Sequence, residues 1–364
     1  MNEERKIILE MLREGKISID EADSLLDALD ETEEESREDF ETKRAKHSRS
    51  GRSDVPTIDL SEMKEGFREI MKGVESSIRD AVKGIRSSQL GDFFTSAVGS
   101  ARAESESVME IEGEEIQRIF LNSPAGDIRI SGSEDSLISI HALIKARGRD
   151  EEQARQKAED IQILHTREAD ELLIHDSGVS DGFTGGYSID YELRVPREIS
   201  ITVKTTNGDV SVESIRGDLD VSSLSGDIEI KSCNGSMNIN TKSGDLNIDE
   251  CSGEITAKTL SGDVDMKSIS SGKLHANSLS GDIECNITPQ ERADILLRTL
   301  SGDVDLRLPE SAEVEIEVNS LSGSFKIDLP LDEVQRKKNT YTGVLNSRNG
   351  RVTAYTKSGD VHIA

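Results

Sequence analysis

Residues 218–263 read DLDVSSLSGDIEIKSCNGSMNINTKSGDLNIDECSGEITAKTLSGD, with a glycine every nine positions at Gly226, Gly235, Gly244, Gly253 and Gly262. The beat runs back to Gly217 and Gly208. It runs forward, with one step of ten, to Gly272 and Gly281. A short fixed period means one structural unit made many times, so it constrains the fold before it constrains the function. Two residues after these glycines the side chain is apolar (Val210, Leu219, Ile228, Met237, Leu246). Four residues after, it is apolar or small (Val212, Val221, Ile230, Ile239, Ala257). Polar residues stand between, which is the period of two that sends alternate side chains to opposite faces of a strand. Each unit is therefore a short strand followed by a turn. Seven residues after the glycine lies a third apolar column, Ile215, Leu224, Cys233, Cys251, Leu260, Ile269 and Leu279, which Lys242 alone interrupts. All three columns are expected to face inward.

Around alternate glycines a tetrad recurs: Leu224-Ser-Gly-Asp227, Lys242-Ser-Gly-Asp245, Leu260-Ser-Gly-Asp263, Leu279-Ser-Gly-Asp282 and Leu300-Ser-Gly-Asp303. Its spacing is 18 residues, then 19, then 21. Two strands per coil explain why the tetrad has twice the period of the glycine, and stacked coils place like residues in columns ~4.8 Å apart. The expected fold is mainly β: a parallel β-solenoid, or flattened β-helix, of 18–21 residues per coil. The alternative is an antiparallel β-sandwich, which also tolerates strands at this spacing. Less regular copies follow at Leu321-Ser-Gly-Ser324 and Lys357-Ser-Gly-Asp360, and an earlier one stands at Ala125-Gly-Asp-Ile128.

The chain has 364 residues, a formal charge of −28, only 3% aromatic residues and no Trp. That charge argues against nucleic acid, whose affinity rests on Lys and Arg neutralising phosphates. It also disfavours attraction to anionic lipid. A narrow aliphatic core needs few rings, and a carbohydrate groove floored by aromatics is disfavoured. Residues 1–6 hold no apolar signal region, and no run of some 18 apolar residues occurs. The three cysteines, Cys233, Cys251 and Cys285, all fall in inward columns and read as small core hydrophobes. A cytoplasmic, membrane-peripheral location is expected, with a cell-surface location as the alternative.

Four segments follow from the pattern. Residues 1–30 form a helical hairpin: Ile8 and Leu12 mark the apolar face of the first helix, Leu25 and Leu29 that of the second. Ser18-Ile-Asp-Glu21 between them is a capping box. Residues 31–57 are a charged linker, acidic and then basic, with the composition of a disordered segment. Residues 58–99 carry a long amphipathic helix whose seam includes Leu60, Phe67, Val74 and Ile78 at coiled-coil spacing. Its polar face mixes both signs, so residues 58–86 are expected to self-associate or to pack on a partner helix, with a membrane-lying helix as the alternative because Leu90 and Phe93-Phe94 extend the apolar material. Residues 108–364 form the β-repeat domain, with a surface helix at 150–160 and a flexible loop at 182–187.

The hairpin, with Glu14-Gly-Lys-Ile-Ser18 and Glu21-Ala-Asp-Ser-Leu-Leu26, resembles the SHOCT-like N-terminal module of YvlB/LiaX-like bacterial proteins. The Tyr191-Glu-Leu-Arg-Val-Pro196 entry and the repeated Ser-Gly-Asp turns resemble the "putative adhesin" β-strand repeat of the same proteins. The resemblance implies an envelope-stress setting beside membrane-bound stress-response proteins, no established enzyme and no cofactor.

The recurrent pairs Gly226 and Asp227, Gly244 and Asp245, Gly262 and Asp263, Gly281 and Asp282, and Gly302 and Asp303 are the candidate site residues. The plain reading is turn chemistry: glycine supplies positive φ, and Asp and Ser accept backbone N–H groups. A Ca²⁺ ladder is the sharper reading. Known Ca²⁺ rolls carry a double glycine, however, and this chain has a single one. The pairs Asp263/Asp265 and Asp303/Asp305 could serve a glycosidase as acid and base. Identical pairs recurring in each coil point instead to a surface pattern. The six histidines show no metal spacing. The expected function is a non-catalytic scaffold that needs no metal or cofactor and binds partner proteins through its helices. A surface-displayed adhesin is the alternative, and a carbohydrate-active enzyme a third reading.

Overall fold

The computed structural model describes residues 101–180 and 186–364. The helical hairpin, the linker and the amphipathic helix lie outside the described residues, and with them Ile8, Leu12, Leu25, Leu29, Leu60, Phe67, Val74 and Ile78. So do residues 182–185 of the loop at 182–187.

Among the described residues the chain is mainly β, with twenty-three strands hydrogen-bonded into one sheet. The helix Glu151–Asp160 lies where the sequence places it. The Asp150 carboxylate caps it by accepting the Gln153 N–H at 2.8 Å, and Ala154 and Ala158 are buried beneath it. The first strand, Ala101–Glu112, starts seven residues before the expected domain start. Small residues alternate there with charges, and the strand is held by antiparallel pairing along the whole of Leu137–Gly148.

The repeats pair in parallel. Leu219–Ser225 lies beside Met237–Ser243 with Leu219 opposite Met237 and Val221 opposite Ile239. Ile228–Lys231 lies beside Leu246–Asp249, with Ile228 opposite Leu246. Every repeat thus forms one rung that supplies a strand to each of two parallel ladders, in 18-residue register. The long strands Val264–Ser280 and Ile283–Ser301 bend and serve both ladders in turn. This pairing excludes the antiparallel alternative for the repeats. Antiparallel contacts belong to the flanks, as where Val314–Ser322 meets Thr340–Leu345.

At both ends of the stack, chain order and spatial order part. The rung holding Ile119 and Ile128 sits between the one holding Leu172 and Tyr191 and the one holding Ile201 and Val210. At the other end the C-terminal strands Gly350–Ser358 and Val361–Ile363 slide between two earlier rungs. Val352 is flanked by Ile295 and Ile316, and Val361 by Val304 and Phe325. The last residues of the chain are therefore interior structure.

The core is the aliphatic filling between the ladders, and Val221, Ile228, Ile230, Ile239, Ile248 and Leu274 are each at most 1% exposed. All three cysteines are buried there as free thiols. One expectation is corrected: Leu224, Leu260 and Leu279 do not point inward. The two half-repeats differ at a backbone switch. Ser214, Ser232, Glu250 and Ser268 adopt left-handed φ of 52–62°, which resets the alternation and turns Ile215, Cys233, Cys251 and Ile269 into the core. The other half-repeat has no such residue. Alternation continues there through Leu219, Val221 and Ser223, and Leu224 falls on the outer face. Lys242, the one exception in the sequence pattern, stands in that outward column.

Candidate functional site

The Ser-Gly-Asp tetrads form the corner at which each rung passes from the first ladder to the second. Their aspartates accept backbone N–H groups, as the turn reading requires. The donor, however, belongs to the neighbouring rung. Oδ1 of Asp227 accepts the Asp245 N–H at 2.8 Å, Asp245 that of Asp263 at 2.8 Å, and Asp263 that of Asp282 at 2.7 Å. The series begins at Asp190, which accepts from Asp127, and passes through Asp209. It continues from Asp282 to Asp303 and from Asp303 to Asp360, and ends at the Ser324 N–H, each bond 2.7 Å long. Ser324 belongs to the last rung among the described residues, where no further N–H is bonded, and there the tetrad lacks its carboxylate. The Ser324 N–H and hydroxyl hold the Asp360 carboxyl below the usual carboxylate range.

A second column lies just inside the corner, three residues before each tetrad glycine. Thr241, Thr259, Ser278 and Thr299 donate their hydroxyls to the carbonyls of Gly226, Gly244, Gly262 and Gly281 at 2.8–3.2 Å. Thr356 and Ser320 do the same for Gly302 and Gly359. All six are buried. The aliphatic reading of the inward columns missed this feature. Its signal is the Ser or Thr standing before every Leu-Ser-Gly or Lys-Ser-Gly.

The carboxylate pairs separate into two roles. Asp263 and Asp303 are committed to the corner, whereas Asp265 and Asp305 lie on the outer face of the second ladder. Asp265 lines a shallow cleft with Glu229, Asn247, Asp249 and Lys267 and pairs with Lys267. Asp305 accepts from His362 Nδ1 at 2.9 Å, while His362 Nε2 lies 3.0 Å from Asp328 Oδ2. These two carboxylates, Asp305 first, raise the His362 pKa. Among the described residues no group of three or more His, Cys, Asp or Glu is arranged to hold a metal ion. Cys233 and Cys251 stack in neighbouring rungs, where the Ser252 N–H donates to the Cys233 carbonyl at 3.0 Å. The neighbouring Cys233 thiol and then burial push the Cys251 thiol up. Burial also pushes up that of Cys285.

The outer face of the first ladder differs in character. Its central column holds Leu224, Lys242, Leu260, Leu279, Leu300 and Lys357 before ending at Leu321, which is 55% exposed. Beside it runs a column in which Lys204, Ser222, Asn240, Lys258, Asn277 and Arg298 lie opposite one another in successive rungs. On the corner side runs a column of serines, Ser225, Ser243, Ser261, Ser280, Ser301 and Ser358.

Two ladders joined by a corner that bonds rung to rung define a β-repeat protein whose recurring polar residues serve its own backbone. The Toastrack DUF4097 family model matches residues 116–364, more than half of the chain, and the chain belongs to that family. A SHOCT-like domain model matches residues 3–34. No curated protein matches. Among solved structures, a "putative cell adhesion protein" from Clostridium sporogenes is 15% identical over 72% of this chain and 99% of its own, with a TM-score of 0.27. A "putative adhesin" from Bacteroides fragilis is 13% identical over 71% and 97%, with a TM-score of 0.42. A "putative lipid binding protein" from Parabacteroides distasonis is 12% identical over 71% and 97%, with a TM-score of 0.27. Identities this low tie none of those descriptions to this chain.

Proposed function

We propose that the protein is a non-catalytic binding scaffold. Its repeat region, read as a two-sided parallel β-solenoid, presents a rigid face, and its N-terminal helices recruit partner proteins. The observation that carries this reading is the fate of the recurring aspartates. The residues most often repeated in the chain each accept a backbone N–H of the next rung, so the pattern builds stiffness along the stack. Fixed hydrogen bonds at every corner suit a surface on which ligand groups are held at constant spacing. The SHOCT-like match at residues 3–34 supports an assembly role for the hairpin. The YvlB/LiaX-like resemblance of the sequence is what supports an envelope-stress setting, beside membrane-bound partners, for this scaffold.

A pull-down from membrane-stressed cells tests this function, comparing the full chain with a chain lacking residues 1–57. Partners retained by the full chain alone support it, whereas an identical set from both removes the hairpin from the account. Self-association through residues 58–86 is tested by light scattering on the full chain against Phe67→Ser/Val74→Ser. The second reading, a surface-displayed adhesin, predicts that protease applied to intact cells cleaves the repeat region. A scaffold kept inside the cell is untouched.

A further inference from the structure

Three outward columns of the first ladder run side by side through nine rungs, from the one holding Asn122 and Ala125 to the one holding Asn319 and Ser322. No Asp or Glu occupies any position in them, although the chain holds 72 acidic residues and a charge of −28. Five cations do: Lys204, Lys242, Lys258, Arg298 and Lys357. None of the five is ion-paired among the described residues; the charged contacts recorded for two of them are with rings, Lys204 over Phe120 at 5.4 Å and Arg298 over Tyr355 at 5.9 Å. The rest of the central column is Pro124 and Thr206 in the first two rungs, then the half-buried Leu224, Leu260, Leu279 and Leu300, and the exposed Leu321. At ~4.8 Å per rung the band runs roughly 40 Å along a sheet face. The serine column borders it, before the aspartate corner.

We infer that this acid-free band is a docking face for an anionic lipid bilayer. The inference rests on the scaffold reading and names what that scaffold lies against. Charge complementarity selects the partner: unpaired cations with no carboxylate among them meet lipid phosphates without repulsion from within the band, and the neighbouring outward column adds Asp220 and Glu317, the latter paired with Arg351. The leucine column selects a bilayer over a soluble polyanion, because a polyanion offers nothing apolar to cover it, whereas the headgroup boundary covers leucine and lysine together. A second copy of the chain is a poor occupant, since it sets one row of cations against another. The aspartate corner bounds the band, so the face and not its rim meets the membrane. The net charge of −28 argues against anionic lipid only when charge is spread evenly, and here it is not.

Co-sedimentation of the full chain with phosphatidylglycerol and with phosphatidylcholine vesicles tests this. Binding to the first and not to the second is expected. Lys242→Glu/Lys258→Glu/Lys357→Glu should weaken it on the order of a hundredfold. Leu260→Ser/Leu279→Ser/Leu300→Ser should weaken it as well, while leaving the binding of soluble polyphosphate, if any, unchanged. All six positions face outward, and an unchanged circular dichroism spectrum and melting temperature confirm that the variants are folded. Three results overturn the inference: no sedimentation with phosphatidylglycerol, sedimentation indifferent to both triple variants, or lysine substitutions that abolish self-association and no lipid binding. Partners still recovered in the pull-down after such a result would leave the scaffold reading standing.

Discussion

Oδ1 of Asp303 accepts the main-chain N–H of Asp360 at 2.7 Å across 57 residues of sequence. The bond fixes the C-terminal strands inside the stack, with Val361 between Val304 and Phe325. Chain ends ordinarily fray, and substitutions next to them cost little. Ile363 is the penultimate residue and is fully buried. Ile363→Ala should therefore cost about 2–5 kcal/mol, as in a core, read as a fall in the urea midpoint. A loss below about 0.5 kcal/mol would contradict the insertion.

The corner aspartates act as acceptors, and an amide oxygen can still accept. Asp245→Asn should therefore keep most of the stability that Asp245→Ala loses. The alanine variant should cost about 0.5–1.5 kcal/mol, because the exposed Asp263 N–H loses its acceptor. If Ala and Asn are equally costly in denaturant titration, the charge matters and the hydrogen bond does not.

The inner hydroxyl column divides into bonded and unbonded members. Thr259 donates to the Gly244 carbonyl at 3.1 Å, so Thr259→Val should cost about 1–3 kcal/mol by orphaning that carbonyl. The Thr205 hydroxyl is buried without a partner, so Thr205→Val should be neutral or stabilising. Thermal melts of the two variants side by side decide the matter.

The glycine beat made the repeat and its parallel stacking legible, and the Asp-Ser chemistry of the corner was legible in kind. The two half-repeats were not distinguished, because Ser214, Ser232, Glu250 and Ser268 carry positive φ without being glycine. Nothing in their side chains announces the switch that sends Cys233 inward and Leu224 outward. The rung-to-rung donors were also hidden, since the pattern names the acceptor and not its partner. The two end insertions join residues far apart in sequence, which no local period encodes. Even the glycines are unequal. A Cβ on Gly262, at φ +149°, would lie 2.0 Å from the Gly244 carbonyl oxygen, whereas one on Gly272 would meet nothing closer than 3.6 Å. Gly262→Ala should thus cost about 2 kcal/mol or more through strain and clash. Gly272→Ala should stay within about 0.5 kcal/mol, in the same chemical denaturation.

His362 ties the inserted strand to both its neighbours, and its titration gives the stack a pH dependence of known sign. Asp305 faces its Nδ1, Asp328 and Lys326 face its Nε2, and Arg307 approaches Asp305 from behind at 3.6 Å. The carboxylates raise its pKa above the unfolded value of about 6.5. A raised pKa means that the folded state holds the proton more tightly. The stabilisation is complete below about pH 6.5 and is lost as pH rises through the folded value. Asp328, whose pKa Lys326 and then His362 depress, contributes in the opposite sense. Its share is present above the ordinary carboxylate range and is lost as pH falls through its own folded value. Stability should therefore decline from near neutral pH upward, and hydrogen exchange across Gly350–Ser358 and Val361–Ile363, corrected for intrinsic rates, should quicken over the same interval. His362→Gln keeps a polar side chain but cannot titrate, so it should flatten both profiles. Profiles that superimpose for the two proteins would assign the pH dependence to other groups.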